Sequence, residues 1–97
     1  MANILSKEQC DQIRTLRTEE AKLGLEDWMT ESSDDDCLII FNNAIEVSFI
    51  VDYFGNIKSV FKEECPTFEI TPELRKLAKI EGKIAQIAYW GKIKEED

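Results

Sequence analysis

The sequence predicts an α+β fold with the order α-β-β-β-α, a three-stranded antiparallel meander with two helices packed on one face. Three observations carry this. Apolar residues recur every three or four positions near both ends of the chain, the period switches to two between residues 37 and 61, and the strand-like runs there are separated by Asn42-Asn43 and Gly55-Asn56. The first two are the marks of amphipathic helices and half-buried strands; the third supplies residues that tolerate the positive φ of tight turns.

The first helix begins at a capping box. Ser6 can accept the Gln9 backbone N–H while Gln9 reaches back, and Leu5 and Cys10 occupy the staple positions. Cys10, Ile13 and Leu16 recur at helical spacing, and Gly24 is suited to the residue past the helix end, so the helix spans roughly 7–23. Leu25, Trp28 and Met29 stand at i, i+3, i+4 and predict one or two further helical turns; Ser32, Ser33 and the aspartates then read as a loop.

The run CLIIF from Cys37 predicts the first strand. In the second, Ile45, Val47, Phe49 and Val51 share one face and Glu46, Ser48, Ile50 and Asp52 the other. The third is IKSVFK, with Ile57 and Phe61 placed on the helix side. Residues 63–72 read as a linker. Thr71 then caps a helix that starts with Pro72 and carries one apolar stripe, Leu77, Ile80, Ile84, Ile87 and Gly91, flanked by Leu74 and Ala88. That helix reaches about Trp90, and the charged tail, residues 92–97, is expected to fray.

The 97 residues fit a single domain over 1–97, with 43% hydrophobic and 33% charged side chains. No run of about 18 apolar residues is present to span a membrane, and the first ten residues do not read as a signal peptide, so a cytoplasmic protein is expected. Cys10, Cys37 and Cys65 are far apart and lack a C-x-x-C spacing; they are expected to pack as reduced small hydrophobes. There is no histidine to hold a thiolate, to bind metal or to serve as general base. Neither a catalytic residue nor a cofactor is expected, and the D-x-D-x-D-G pattern of a calcium loop is absent.

What remains is charge. Residues 1–64 hold 14 acidic and 6 basic side chains, a net of -8, whereas residues 65–97 hold 6 of each. Glu26, Asp27, Glu31, Asp34, Asp35 and Asp36 place six carboxylates in residues 26–36 with no basic residue among them, and Glu46 and Asp52 add to these from the outer sheet face. Two readings of the aspartates stand side by side: a solvated loop that caps the strand after it, or a surface held for a basic partner. Trp28, inside the segment, either anchors an interface or closes the core; Trp90 is open in the same way. A direct nucleic-acid or membrane contact is excluded by the sign of the charge. A duplex as long as the domain carries on the order of 18 charges, so a net -8 imitates one flank of a nucleic acid and not a whole turn.

Strand one is apolar on both faces, and Ile50 and Val60 point away from the helices. This leaves apolar surface that is either shielded by residues 65–70 or kept for a partner.

In size, acidity and lack of any catalytic pattern the chain resembles the small phage inhibitors that imitate DNA, among them anti-CRISPR and anti-restriction proteins. The resemblance extends over no stretch of residues and transfers no functional position. It implies an acidic inhibitor acting in a host cytoplasm on the positively charged nucleic-acid site of a basic partner protein or complex. The candidate partner-binding residues are Glu26, Asp27, Trp28, Glu31, Asp34, Asp35, Asp36, Glu46 and Asp52. The alternatives are an immunity protein or antitoxin against a basic nuclease, and a non-catalytic adaptor subunit that docks through the apolar outer sheet face.

Overall fold

A computed structural model describes residues 4–94. Met1 to Asn3 and Glu95 to Asp97, and with them half of the tail expected to fray, lie outside the described residues; of the other half, the Lys94 backbone N–H is held by the Gln86 side chain at 2.6 Å. The chain is α+β, as expected, but the sheet has four strands, not three. The elements are α1 (Lys7–Ala21), β1 (Met29–Ser33), β2 (Cys37–Asn42), β3 (Val47–Asp52), β4 (Ile57–Phe61) and α2 (Pro72–Ala85), the last running into a π-helical turn (Gln86–Trp90). The strands are antiparallel in the order β1-β2-β3-β4.

α1 starts as the sequence predicts, with both bonds of the Ser6–Gln9 capping box formed. It ends at Ala21, and Gly24 takes φ +68° in the next turn. Residues 25–29 do not continue as helix. A single turn closed by Trp28 N–H on the Leu25 carbonyl leads into β1, whose Met29–Ser33 pair with Phe41–Cys37. The reason lies in β2. Its side chains are apolar on both faces, the composition of a central strand, and a central strand needs a hydrogen-bonding neighbour on each edge. β1 supplies the second neighbour although its own sequence, MTESS, has little strand patterning.

The inner face of the sheet is laid down by alternation. Leu38 and Ile40 of β2 and Val47, Phe49 and Val51 of β3 are buried, and they pack with Tyr53, Leu74, Leu77, Ala78 and Ala85 in the main core. A bulge between Ile50 and Val51 breaks the register with β4: Ile50 pairs with Ser59 and Val51 with Ile57, so Lys58 is the extra residue. Phe61 therefore pairs with Ser48 on the outer face, not the helix face, while Val60 pairs with buried Phe49 on the inner face. Ile45 leaves the expected inner row as well: it sits exposed in the turn between β2 and β3, ahead of the strand.

The two helices do not share the sheet. α2 lies on it, and α1 rides mainly on α2. The single apolar stripe expected for α2 is two stripes. Leu74, Leu77, Ala78 and Ala85 face the sheet, while Ile80, Ile84 and Ile87 meet Ile13 and Leu16 of α1 in a second cluster. Cys10, expected to pack with Ile13 and Leu16, is exposed; Cys37 and Cys65 are half-buried. Gly82 lets α2 approach closely, since a Cβ there would run into the Tyr53 carbonyl. Next along the helix, the Gln86 amide donates to that same carbonyl at 2.7 Å.

Candidate functional site

The strand directions decide where the acidic residues go. β1 rises from Met29 to Ser33, the chain reverses through Asp34, Asp35 and Asp36, and β2 descends. Asp35 and Asp36 hold φ of 58° and 53°, left-handed conformations that aspartate tolerates better than most residues. The triplet is thus the tip of a hairpin. Glu26 and Asp27 lie at the other end of β1, about 17 Å away for a five-residue strand. That is about two Debye lengths at physiological salt. Six carboxylates that are neighbours in sequence form no single patch.

The tip shares its end of the sheet with the β3–β4 turn. Asp52 is built into that turn: its carboxylate accepts from the backbone N–H groups of Phe54 and Asn56 at 2.9 Å each and from the Asn56 side chain at 3.1 Å. Partial burial works to raise its pKa, but the bonds from Asn56 and Phe54 and the charge of Lys58, 3.7 Å away, outweigh it and hold the carboxyl below its ordinary range. Burial raises the Tyr53 hydroxyl, and the negative charge of nearby Asp36 adds to the effect. Glu46 sits at the opposite end, in the β2–β3 turn, with φ 53°.

Trp28 is half-buried and closes the core. Its ring lies 5.8 Å from Phe49 and 5.7 Å from Phe68. Phe68 and Ile70 pack on the same core, so residues 65–70 run on the helix side and shield none of the outer face. Trp90 is half-buried too, 5.1 Å from Tyr53 and 5.7 Å from Phe54. The wide turn of the π-helix delays its rotation about the axis and brings it back toward the sheet.

The outer face is where candidate residues do come together. The register aligns Met29, Phe41, Ser48 and Phe61 across all four strands, with Glu31, Ile39, Ile50 and Ser59 as the next row and Ser33, Cys37 and Asp52 beyond it. Met29 is 56% and Phe61 54% exposed; Ile39, Phe41 and Ile50 are half-exposed. Glu31 and Glu46 rim a shallow groove over Ile39 and Phe41. The result is an apolar centre bordered by Glu31, Glu46, Asp52 and the hairpin tip. Glu26, Asp27 and Trp28 are not part of it.

Sequence reasoning does not reach Met29, Phe41 and Phe61 as site residues. The two-sided apolarity of CLIIF is a signal for Phe41; Phe61 is hidden by the bulge, which moves it across the sheet. Among the described residues no group of three or more cysteine or acidic side chains converges to hold a metal ion, and no helix is long and apolar enough to cross a membrane. Comparison with known proteins finds no matching family model, curated protein or solved structure.

Proposed function

We propose that the chain acts by binding and not by chemistry: the open sheet face docks on a basic surface of a protein that handles nucleic acid and blocks that surface. The observation that carries this reading is the row Met29–Phe41–Phe61, two exposed apolar side chains and a half-exposed one in register and bordered by carboxylates. Apolar anchors at the centre of a patch supply affinity, and a charged rim supplies orientation and encounter rate. Charge alone is a weaker account. Duplex DNA matching the 42 Å long axis carries about 25 phosphates, against a net of -8 for the whole chain.

The adaptor reading differs in what the partner does, and the apolar centre favours it to the same degree. Competition separates the two. The partner is isolated on immobilised chain and challenged with short duplex and single-stranded oligonucleotides. An inhibitor of the proposed kind is displaced by nucleic acid in proportion to the partner's affinity for it. A complex that persists unchanged under saturating oligonucleotide is an adaptor complex, and the inhibitory reading fails.

A further inference from the structure

We propose that the cleft between the β3–β4 turn, the second half of α2 and the segment after the π-helical turn binds a small phosphorylated anion. The cleft has a volume of about 440 Å³, within the range of small-molecule sites, and its lining includes Lys79, Lys83, Lys94, Phe54, Ile93 and Gln86. Among the described residues no carboxylate lines it. Lys79 and Lys83 stand one turn apart on the same face of α2. Lys94 comes from the segment opposite, its Nζ 4.8 Å from the centroid of the Trp90 ring. Among the described residues none of the three has an ion-pair partner. A chain with 20 acidic and 12 basic residues has thus gathered around one cleft three cations that have no ion-pair partner among the described residues. Like charges so placed repel, and an occupant with two or more negative charges reverses the sign of that energy.

The walls are built and not merely adjacent. Gly55, at φ +85°, sits so close to Lys79 that a Cβ would strike the lysine's Cγ and crowd its Cα, so the turn rests directly on α2. Gln86 is buried; it donates to the Tyr53 carbonyl at 2.7 Å and accepts from the Lys94 backbone N–H at 2.6 Å, tying the last described segment across the cleft. Phe54, from the turn, and Ile93, from the segment after the π-helical turn, add apolar surface to the lining for the non-ionic part of a ligand. Ammonium groups bind phosphoryl oxygens as point charges and do not require a planar partner. The acidic hairpin tip stands at the same end of the sheet, so an anion that extends from the cleft toward the tip meets more repulsion than a compact one. The cleft and the open sheet face are separate surfaces, and either proposal can fail alone.

The probe is inorganic pyrophosphate, titrated into the isotopically labelled full chain and followed by amide NMR. Expected are saturable shifts confined to Gly55, Gln86, Lys94 and their neighbours, with a dissociation constant below about 1 mM. A K79Q/K83Q double variant should melt at the same temperature and bind at least ~tenfold more weakly, each lost charge counting for a factor of a few. K58Q, on β4, should bind as the wild type does. Shifts that rise without saturating, shifts spread over all the lysines, or a double variant of unchanged affinity would each overturn the proposal.

Discussion

At the scale of the residue, the aspartates at the hairpin tip have a backbone task of their own. Asp35 and Asp36 both hold positive φ, where a β-branched residue is strained and asparagine is not. Replacing both with valine should destabilise the fold by about 1–3 kcal/mol, whereas replacing both with asparagine should leave the melting temperature within a degree or two. Equal melting temperatures for the two variants would show that the tip carries no conformational demand. The sequence leads to aspartates held together for a partner; part of the reason for them is the turn, and that part is not legible because nothing marks Ser33 and Cys37 as paired ends of a hairpin.

Glu81 is the other residue whose role only the fold reveals. It is 6% exposed on α2, and Arg17 of α1 donates to it at 2.9 Å while also bridging Glu20 at 2.9 Å. Burial, then the adjoining Glu20 carboxylate, raises the Glu81 pKa to about 8 from 4.5, against the pull of Arg17. The native state therefore favours the proton. The stability this contributes is fully present below about pH 4.5, erodes as pH rises, and is lost above about 8. Thermal melts from pH 5 to 9 should show wild type losing stability relative to Glu81→Gln as pH rises, with the glutamine variant the flatter of the two. A difference that stays constant with pH would mean that Glu81 is ionised throughout.

At the scale of the element, patterning is legible where one face is buried and misleading where two are. α1, β3 and the capped start of α2 are readable because their apolar periods are set by a single neighbour, and β2 because a short run apolar on both faces reads as a central strand. β1 is not, because an edge strand with Thr30 and Ser32 toward the core and Glu31 outward carries no apolar alternation. The bulge at Lys58 is equally silent, and it reverses the expected facing of Phe61 and Val60. α2 reads as one stripe because two stripes about a third of a turn apart merge in a helical projection. The division has a consequence. Ile84→Ala empties part of the small α1–α2 cluster and should cost about 2–4 kcal/mol. It should also free α1 first, so that amides of 7–21 exchange faster while those of β2 and β3 stay protected. Parallel loss of protection in α1 and the sheet would show that the two clusters unfold as one.

At the scale of the whole molecule, the two faces of the sheet are used differently. The helix side of the sheet is covered by α2, Trp28 and residues 65–70. The other side is left open with Met29, Phe41 and Phe61 in one row and carboxylates around them. A four-stranded sheet needs only one covered face for a core, so the open row is surface in excess of what folding requires. The measurement that bears most directly on this is the affinity of the isolated partner for Met29→Ser/Phe61→Ser, for the Asp34/Asp35/Asp36→Asn variant and for wild type, at about 50 mM and about 500 mM salt. Both substituted apolar residues are more than half exposed, so the fold should be unaffected. The account predicts a loss of at least ~30-fold for the apolar variant at both salt concentrations, about 2 kcal/mol, and a loss for the triple asparagine variant that is clear at low salt and small at high salt. An apolar variant that binds as tightly as wild type, beside a triple asparagine variant that does not bind at all, would contradict it: the partner would then be reading charge at the hairpin tip and not the open face.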